Sequence, residues 1–159
     1  MTNKPTPATT LETIKSVPAL AKASANSITK LAEASKELSL MQGQTLLQID
    51  TISADAFLLR KGGLRLLAKD PITKELFTIG KVGPGALVGI VDLLRQGPCE
   101  AALAMNQCEL LSLPLELILE LYQEDSGLRS ELNRLESPCE SALLLTKVLE
   151  TVNPPPADA

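Results

Sequence analysis

The chain has no histidine and no tryptophan, and its aromatic side chains are limited to Phe57, Phe77 and Tyr122. Without histidine the commonest general base is missing, so Ser-His and Cys-His nucleophiles are excluded. So few aromatics cannot build a base-stacking platform for single-stranded nucleic acid. Lys and Arg number 15 against 19 Asp and Glu, and the resulting net charge of −4 has the wrong sign for a phosphate-backbone partner. No nucleic-acid partner is expected. The three cysteines, Cys99, Cys108 and Cys139, form no C-x-x-C pair, so no metal site is expected and reduced thiols of a cytoplasmic protein are. No run approaches the ~20 apolar residues of a membrane span. The polar, Pro-containing start has no apolar segment of the secretory kind.

What remains is aliphatic. Hydrophobic residues make up 45% of 159 positions, enough for one domain with a Leu-, Ile-, Val- and Ala-built core and a tail at each end. Residues 1–40 are rich in Ala, Ser, Thr and Lys. There Leu20, Ala23, Ser27, Leu31, Ala34 and Leu38 recur at steps of three and four, which predicts a tail followed by one helix with a thin apolar stripe. From residue 41 the texture changes to short aliphatic runs, at 44–49, 56–60, 64–68, 76–81 and 108–113. Turn residues separate them at Gly62-Gly63, Asp70-Pro71, Gly83-Pro84-Gly85 and Gly97-Pro98, which predicts a β-sandwich or barrel-like core. Asp70 to Lys74 reads as a hairpin connection, with Pro71 presetting φ. Beyond Pro114 helical spacing returns at Leu115, Ile118, Leu119 and Tyr122, then at Leu128, Leu132 and Leu135, and a last helix is predicted over 143–152. Residues 153–159 are a Pro-rich tail or linker.

The central block resembles the cyclic-nucleotide-binding domain family, shared by catabolite-activator proteins, kinase regulatory subunits and gated channels. "QGQTLLQID" is similar to the family's opening strand. "AFLLRKGGLRLLAKD" is similar to its Tyr-x-Ile-x-x-Gly-x-Val hairpin, with Phe57 in the aromatic place and Gly62 in the glycine place. "ELFTIGKVGPGALVGIVDLLRQGPCEAALAMNQCELLSLP" is similar to the stretch from the next strand through the phosphate-binding cassette to the closing strand. The resemblance implies a mainly β fold with flanking α-helices, a double-stranded β-helix or jelly-roll-like β-roll over 41–122, with C-terminal helices over 123–152.

In that family the cassette follows the pattern Phe-Gly-Glu-x-x-Leu-Leu, then Pro-Arg-x-Ala-x-Val. A short helix aims free N–H groups and its positive end at the cyclic phosphate. The Arg completes the ion pair, and the Glu accepts from the ribose 2′-hydroxyl. Gly89, Leu93, Leu94, Pro98 and Ala101 keep this frame here, but Ile90 stands in the Glu place and Cys99 in the Arg place. Neither offers the hydrogen bonds or the charge. At about 1.5–3 kcal/mol for each lost bond to a charged group, binding weakens roughly 10²–10⁴-fold. Asp92, in the first turn, competes with a phosphate for the helix end. Arg95, Arg65 and Lys81 are the basic residues from which a substitute partner would have to come.

The expected function is therefore a non-catalytic regulatory or docking domain, a poor receptor for cyclic AMP or cyclic GMP, with no cofactor. Family analogy makes an ABC-type peptide or toxin exporter a plausible parent. The expected partners are other domains of that parent, or a homodimer mate met through the C-terminal helices. Leu128, Leu132 and Leu135 serve either that contact or a cover for the roll. Direct membrane insertion is not expected. Only about twenty residues follow Pro138, fewer than a helix-turn-helix domain needs, so DNA binding of the catabolite-activator kind is not expected if the chain is complete. Two alternatives stay open: a sensor for another small ligand, not histidine-ligated heme, or a cyclic-nucleotide receptor with a non-standard phosphate partner. Glu116, Glu120, Glu124, Asp125, Glu131 and Glu136 read as solvated helix faces rather than as a catalytic cluster.

Overall fold

The stretch 56–59 carries no polar side chain because its strand is covered on both faces. A computed structural model describes residues 7–48, 51–70, 72–91, 101–135, 144, 145, 147, 148 and 151. The described elements are α1 (Pro7–Lys15), a 3₁₀ turn (Pro18–Leu20), α2 (Ala25–Ala34), β1 (Lys36–Leu40), β2 (Thr45–Leu47), β3 (Asp55–Lys61), β4 (Leu64–Lys69), β5 (Leu76–Val82), β6 (Leu87–Val88), β7 (Ala102–Ala104), β8 (Cys108–Pro114), α3 (Leu115–Glu124) and α4 (Ser126–Asn133). The strands form two four-stranded antiparallel sheets, ordered β1-β8-β3-β6 and β2-β7-β4-β5. This is the predicted β-roll with flanking helices.

Side-chain alternation divides the interior in two. Phe57 and Leu59 of β3, with Cys108 and Leu110 of β8, face Leu64 and Leu66 of β4 and Ala102 and Ala104 of β7, filling the space between the sheets. Ala56 and Leu58, with Leu111 and Leu113, point the other way into a second core closed by α1, the 3₁₀ turn, α2, α3 and α4. Antiparallel sheets often leave one face wet. Here the two central strands of one sheet are apolar on both faces, so the helices must cover it.

The turns follow their residue chemistry. Gly62 has φ +91°, and a Cβ there would lie 2.5 Å from the Gln107 carbonyl oxygen, so glycine is required on both counts. At the β4–β5 connection Asp70 Oδ1 accepts from the Ile72 and Thr73 amides at 2.8 and 2.9 Å, and these bonds hold its carboxyl below the usual carboxylate range. The strands on either side pair Lys69 with Leu76, so the predicted hairpin is formed. Pro71 lies outside the described residues.

The N-terminal prediction needs correction. No single helix runs from Leu20 to Leu38: Ser24 caps α2 through its hydroxyl, which accepts from the Ser27 amide, and Ser35 is already extended. Residues 36–40, Lys-Glu-Leu-Ser-Leu, alternate polar and apolar and form β1, whose register with β8 pairs Leu38 with Leu110 and Leu40 with Cys108. Sheet pairing outweighed a weak helical stripe. Ahead of it, α1 is formed where only a tail was expected, with Ile14 fully buried and Leu11 packed on the same core. Leu128 and Leu132 are also fully buried in this helical-side core, which covers the outer face of the roll. Leu144, Leu145, Lys147, Val148 and Thr151 are helical, within the stretch predicted as the last helix.

Candidate functional site

The cassette segment links the two sheets. It leaves β6 in the first sheet, turns at Gly89 and returns through Ala101 into β7 of the second. Gly89 is buried with φ +88°, and a Cβ there would sit 3.1 Å from the Asp55 carbonyl oxygen. A left-handed residue packed against a neighbouring strand is a position for glycine. Directly after it, Ile90 and Val91 adopt helical conformation. At the far end Ala101 is buried, and its carbonyl accepts from the Leu67 amide at 3.0 Å. Asp92, Leu93, Leu94, Arg95, Pro98 and Cys99 lie outside the described residues.

Ile90 is fully buried, and it packs in the helical-side core with Val91, Ala56 and Leu58 rather than in the core between the sheets. Its neighbour Val88 belongs to the inter-sheet core. The glycine turn thus redirects the chain, so that the side chain in the Glu place is held among aliphatic groups.

Of the basic residues considered as substitute phosphate partners, two are described. Arg65 pairs in register with Lys81 on one side and Leu103 on the other. Their strand neighbours Leu64, Leu66, Ala102 and Ala104 all fill the inter-sheet core, and Val82 packs against it. By alternation Arg65 and Lys81 lie on the outer face of the second sheet, away from the interior of the roll. Arg95 lies outside the described residues.

Two acidic residues differ from the solvated-face reading. Asp125 Oδ2 accepts from the Ser24 amide and the Ser27 hydroxyl, each at 2.8 Å, while Oδ1 accepts from the Gly127 and Leu128 amides at 3.1 and 3.2 Å. The Ser24 amide is the largest cause that brings its carboxyl down to about 2. Glu131 receives Lys22 at 3.3 Å and Arg134 at 3.7 Å, and its side chain is only 17% exposed. Glu116, Glu120 and Glu124 are exposed as expected, and Glu136 lies outside the described residues. The Asp-Ser-Gly-Leu string at 125–128 carries a helix-cap signal that the solvated-face reading missed, whereas nothing local points to the far partners.

Cys108 is a buried free thiol whose Sγ lies 3.3 Å from the carbonyl oxygens of Gly63 and Asn106. Cys99 and Cys139 lie outside the described residues. Among the described residues no group of three or more His, Cys, Asp or Glu could hold a metal ion. Among them, too, no helix is long and apolar enough to cross a membrane.

The sequence pattern of the family described as cyclic nucleotide-binding domain matches residues 37–125, more than half of the chain. The chain belongs to this family. The match begins inside β1 and ends at Asp125, so it spans both sheets, the cassette and α3. Its members are regulatory and binding domains. No curated protein matches the chain by sequence.

Three similar solved structures are protein kinase A regulatory subunits. The regulatory subunit of a cAMP-independent protein kinase A from Trypanosoma brucei superposes with a TM-score of 0.75 at 12% identity, covering 89% of this chain and 51% of that one. The corresponding subunit from Trypanosoma cruzi, bound to guanosine, gives 0.74 at 15% identity, covering 92% and 51%. A T. brucei variant with three substitutions, one of them threonine to arginine, is bound to cAMP in its A site and gives 0.67 at 13% identity, covering 89% and 51%. The chain spans about half the length of these subunits, and identities this low speak for the shared fold alone.

Proposed function

We propose that this domain is a non-catalytic regulatory or docking module that binds neither cyclic AMP nor cyclic GMP well. The observation that carries the reading is the burial of Ile90 in the helical-side core, at the position from which the family's Glu grips ribose. A fully buried aliphatic group there neither accepts a hydrogen bond nor leaves room for one that would. The sequence adds Cys99 in the Arg place, and the outward placement of Arg65 and Lys81 argues against a substitute from the second sheet. The T. brucei subunit supports the same logic, because the variant bound to cAMP carries an introduced arginine.

By this reading the domain works through contacts. Leu144, Leu145 and Val148 expose more than half of their surface on the helical residues after α4, a place for a neighbouring domain or a second copy to pack. Family analogy favours the cytoplasmic part of an ABC-type peptide or toxin exporter as the parent.

Calorimetry tests the ligand claim. The natural chain is expected to give no heat with cyclic AMP or cyclic GMP at tens of micromolar. Cys99→Arg restores the cation that the family pattern has at this position and is expected to strengthen binding at least ~10-fold, at ~1.4 kcal/mol per decade. Saturable binding by the natural chain at low micromolar concentration would refute the proposal. A second reading, a sensor for an uncharged ligand, draws support from the T. cruzi subunit, since guanosine carries no phosphate. A rise in melting temperature with guanosine but not with cyclic nucleotides would select it.

A further inference from the structure

We infer that the cleft between α1 and the C-terminal end of β3 is a second binding site, for a small organic anion with a carboxylate or phosphate head. The cleft has a volume of about 520 Å³, within the ~300–1,000 Å³ of small-molecule sites. Thr13 of α1, Ser16 just after it and Pro18 form one wall, and the end of β3 and Pro84-Gly85 of the β5–β6 turn form the other. It lies at the opposite end of β6 from Gly89, and none of its described lining residues belongs to the cassette.

Its charge has one sign. Among the described residues Arg60 and Lys61 line the cleft, and no carboxylate does. Their counter-ions sit on other strands: Glu37 of β1 is 4.0 Å from Arg60, and Glu109 of β8 is 3.8 Å from Lys61. Those separations are well beyond the ~2.7–2.9 Å of a charge-assisted hydrogen bond. The Arg60 side chain is only 17% exposed, and its ion-pair partner Glu37 stands no closer than 4.0 Å. A planar fork in that condition takes a carboxylate or phosphate through two parallel bonds, which a lysine cannot reproduce.

The rest of the wall sets the body of the ligand. The Ser16 hydroxyl donates to the Thr13 carbonyl at 2.7 Å, so its proton is already committed and the head of the ligand is left to the cations. Pro18 and Pro84 add apolar surface, and Gly85 adds no side chain. An anionic head on a compact, partly apolar body fits the cations and the proline surface.

Phenyl phosphate is a suitable probe, followed by ¹⁵N NMR on the full chain. Shift changes are expected at Ser16, Gly85 and the Arg60 side-chain Nε–H, with a dissociation constant of about 0.1–1 mM. Arg60→Gln is expected to weaken binding ~10–100-fold, and Arg60→Lys by less, since it keeps charge but loses the fork. Arg65→Gln, on the outer sheet face, should leave the constant unchanged. Equal binding by Arg60→Gln, changes centred on Gly89 and Ala101 instead, or no change at all would overturn the assignment. Benzoate in place of phenyl phosphate distinguishes a carboxylate from a phosphate preference, and loss of its binding in Arg60→Gln would support the same site.

Discussion

Ile90→Glu is expected to destabilise the domain by about 3–5 kcal/mol, although it installs the residue that the family's ribose contact uses. Ile90 is fully buried among Val91, Ala56, Leu58 and the helices that close that core. The substitution removes the aliphatic packing and places a carboxyl where the described neighbours are apolar. A buried carboxyl without a partner stays neutral, so its pKa rises above the ordinary ~4.3. The folded state then holds a proton that the unfolded state has released, and the penalty grows as pH rises above ~4. It shrinks again in mild acid, where both states carry the proton. Denaturant melts of the natural chain and the variant at pH 4.5 and 7.5 test this, with the larger difference expected at 7.5. Ile90→Val should cost only about 0.5–1.5 kcal/mol at both, because it leaves a small void and no charge. A cost below about 1 kcal/mol for Ile90→Glu, independent of pH, would mean that the side chain reaches water or the roll interior. That result would also remove the support for a ligand-free cassette. For the same reason Cys99→Arg alone, without Ile90→Glu, is the informative attempt to restore cyclic-nucleotide binding.

How far the sequence carried the reading depended on how local each signal was. Gly62 and Gly89 were legible because each stands in a glycine place of the family pattern, and the structure supplies the physical reason with φ +91° and +88°. The Asp70 turn was legible because a carboxylate that accepts from amides two and three residues on is a short-range device. Residues 36–40 were not, because five alternating residues beside an Ala- and Ser-rich helix carry less signal than their pairing with β8, which lies far along the chain. In the cassette, the sequence showed which chemistry Ile90 lacks. It could not show that the side chain would turn into the helical-side core, since that direction is set by the strand packed under Gly89. Arg60 gave no signal at all in one dimension, as its cleft is assembled from α1, β3 and the β5–β6 turn.

Asp125 is the clearest case of a role hidden by distance, and Asp125→Ala is expected to cost about 2–4 kcal/mol. The carboxylate performs two jobs. Through Oδ1 it caps α4, a contact that contributes about 0.5–2 kcal/mol in comparable helices. Through Oδ2 it holds the Ser24 amide and the Ser27 hydroxyl, 101 and 98 residues away, and thereby fixes the start of α2 against the start of α4. The same junction is tight elsewhere: a Cβ on Gly127 would run into the Lys22 carbonyl oxygen, and Lys22 reaches Glu131. Losing the carboxylate leaves the Ser27 hydroxyl, on a buried residue, without its acceptor, which adds to the lost cap. The folded carboxyl titrates at about 2, below its ordinary 3.8, chiefly because the Ser24 amide donates to it. Its contribution is therefore complete above pH ~4 and is lost as pH falls from there through about 2. A drop from 3.8 to about 2 corresponds to roughly 2 kcal/mol, trimmed to about 1–2 by solvent access. Asp125→Asn keeps the shape and one acceptor oxygen but has no proton to gain. It should be less stable than the natural chain at pH 7 and should approach it between pH 4 and 2, measured by denaturant midpoint. Parallel loss in both proteins over that interval would show that other carboxylates carry the acid sensitivity, and that the bridge between α2 and α4 is held by packing alone.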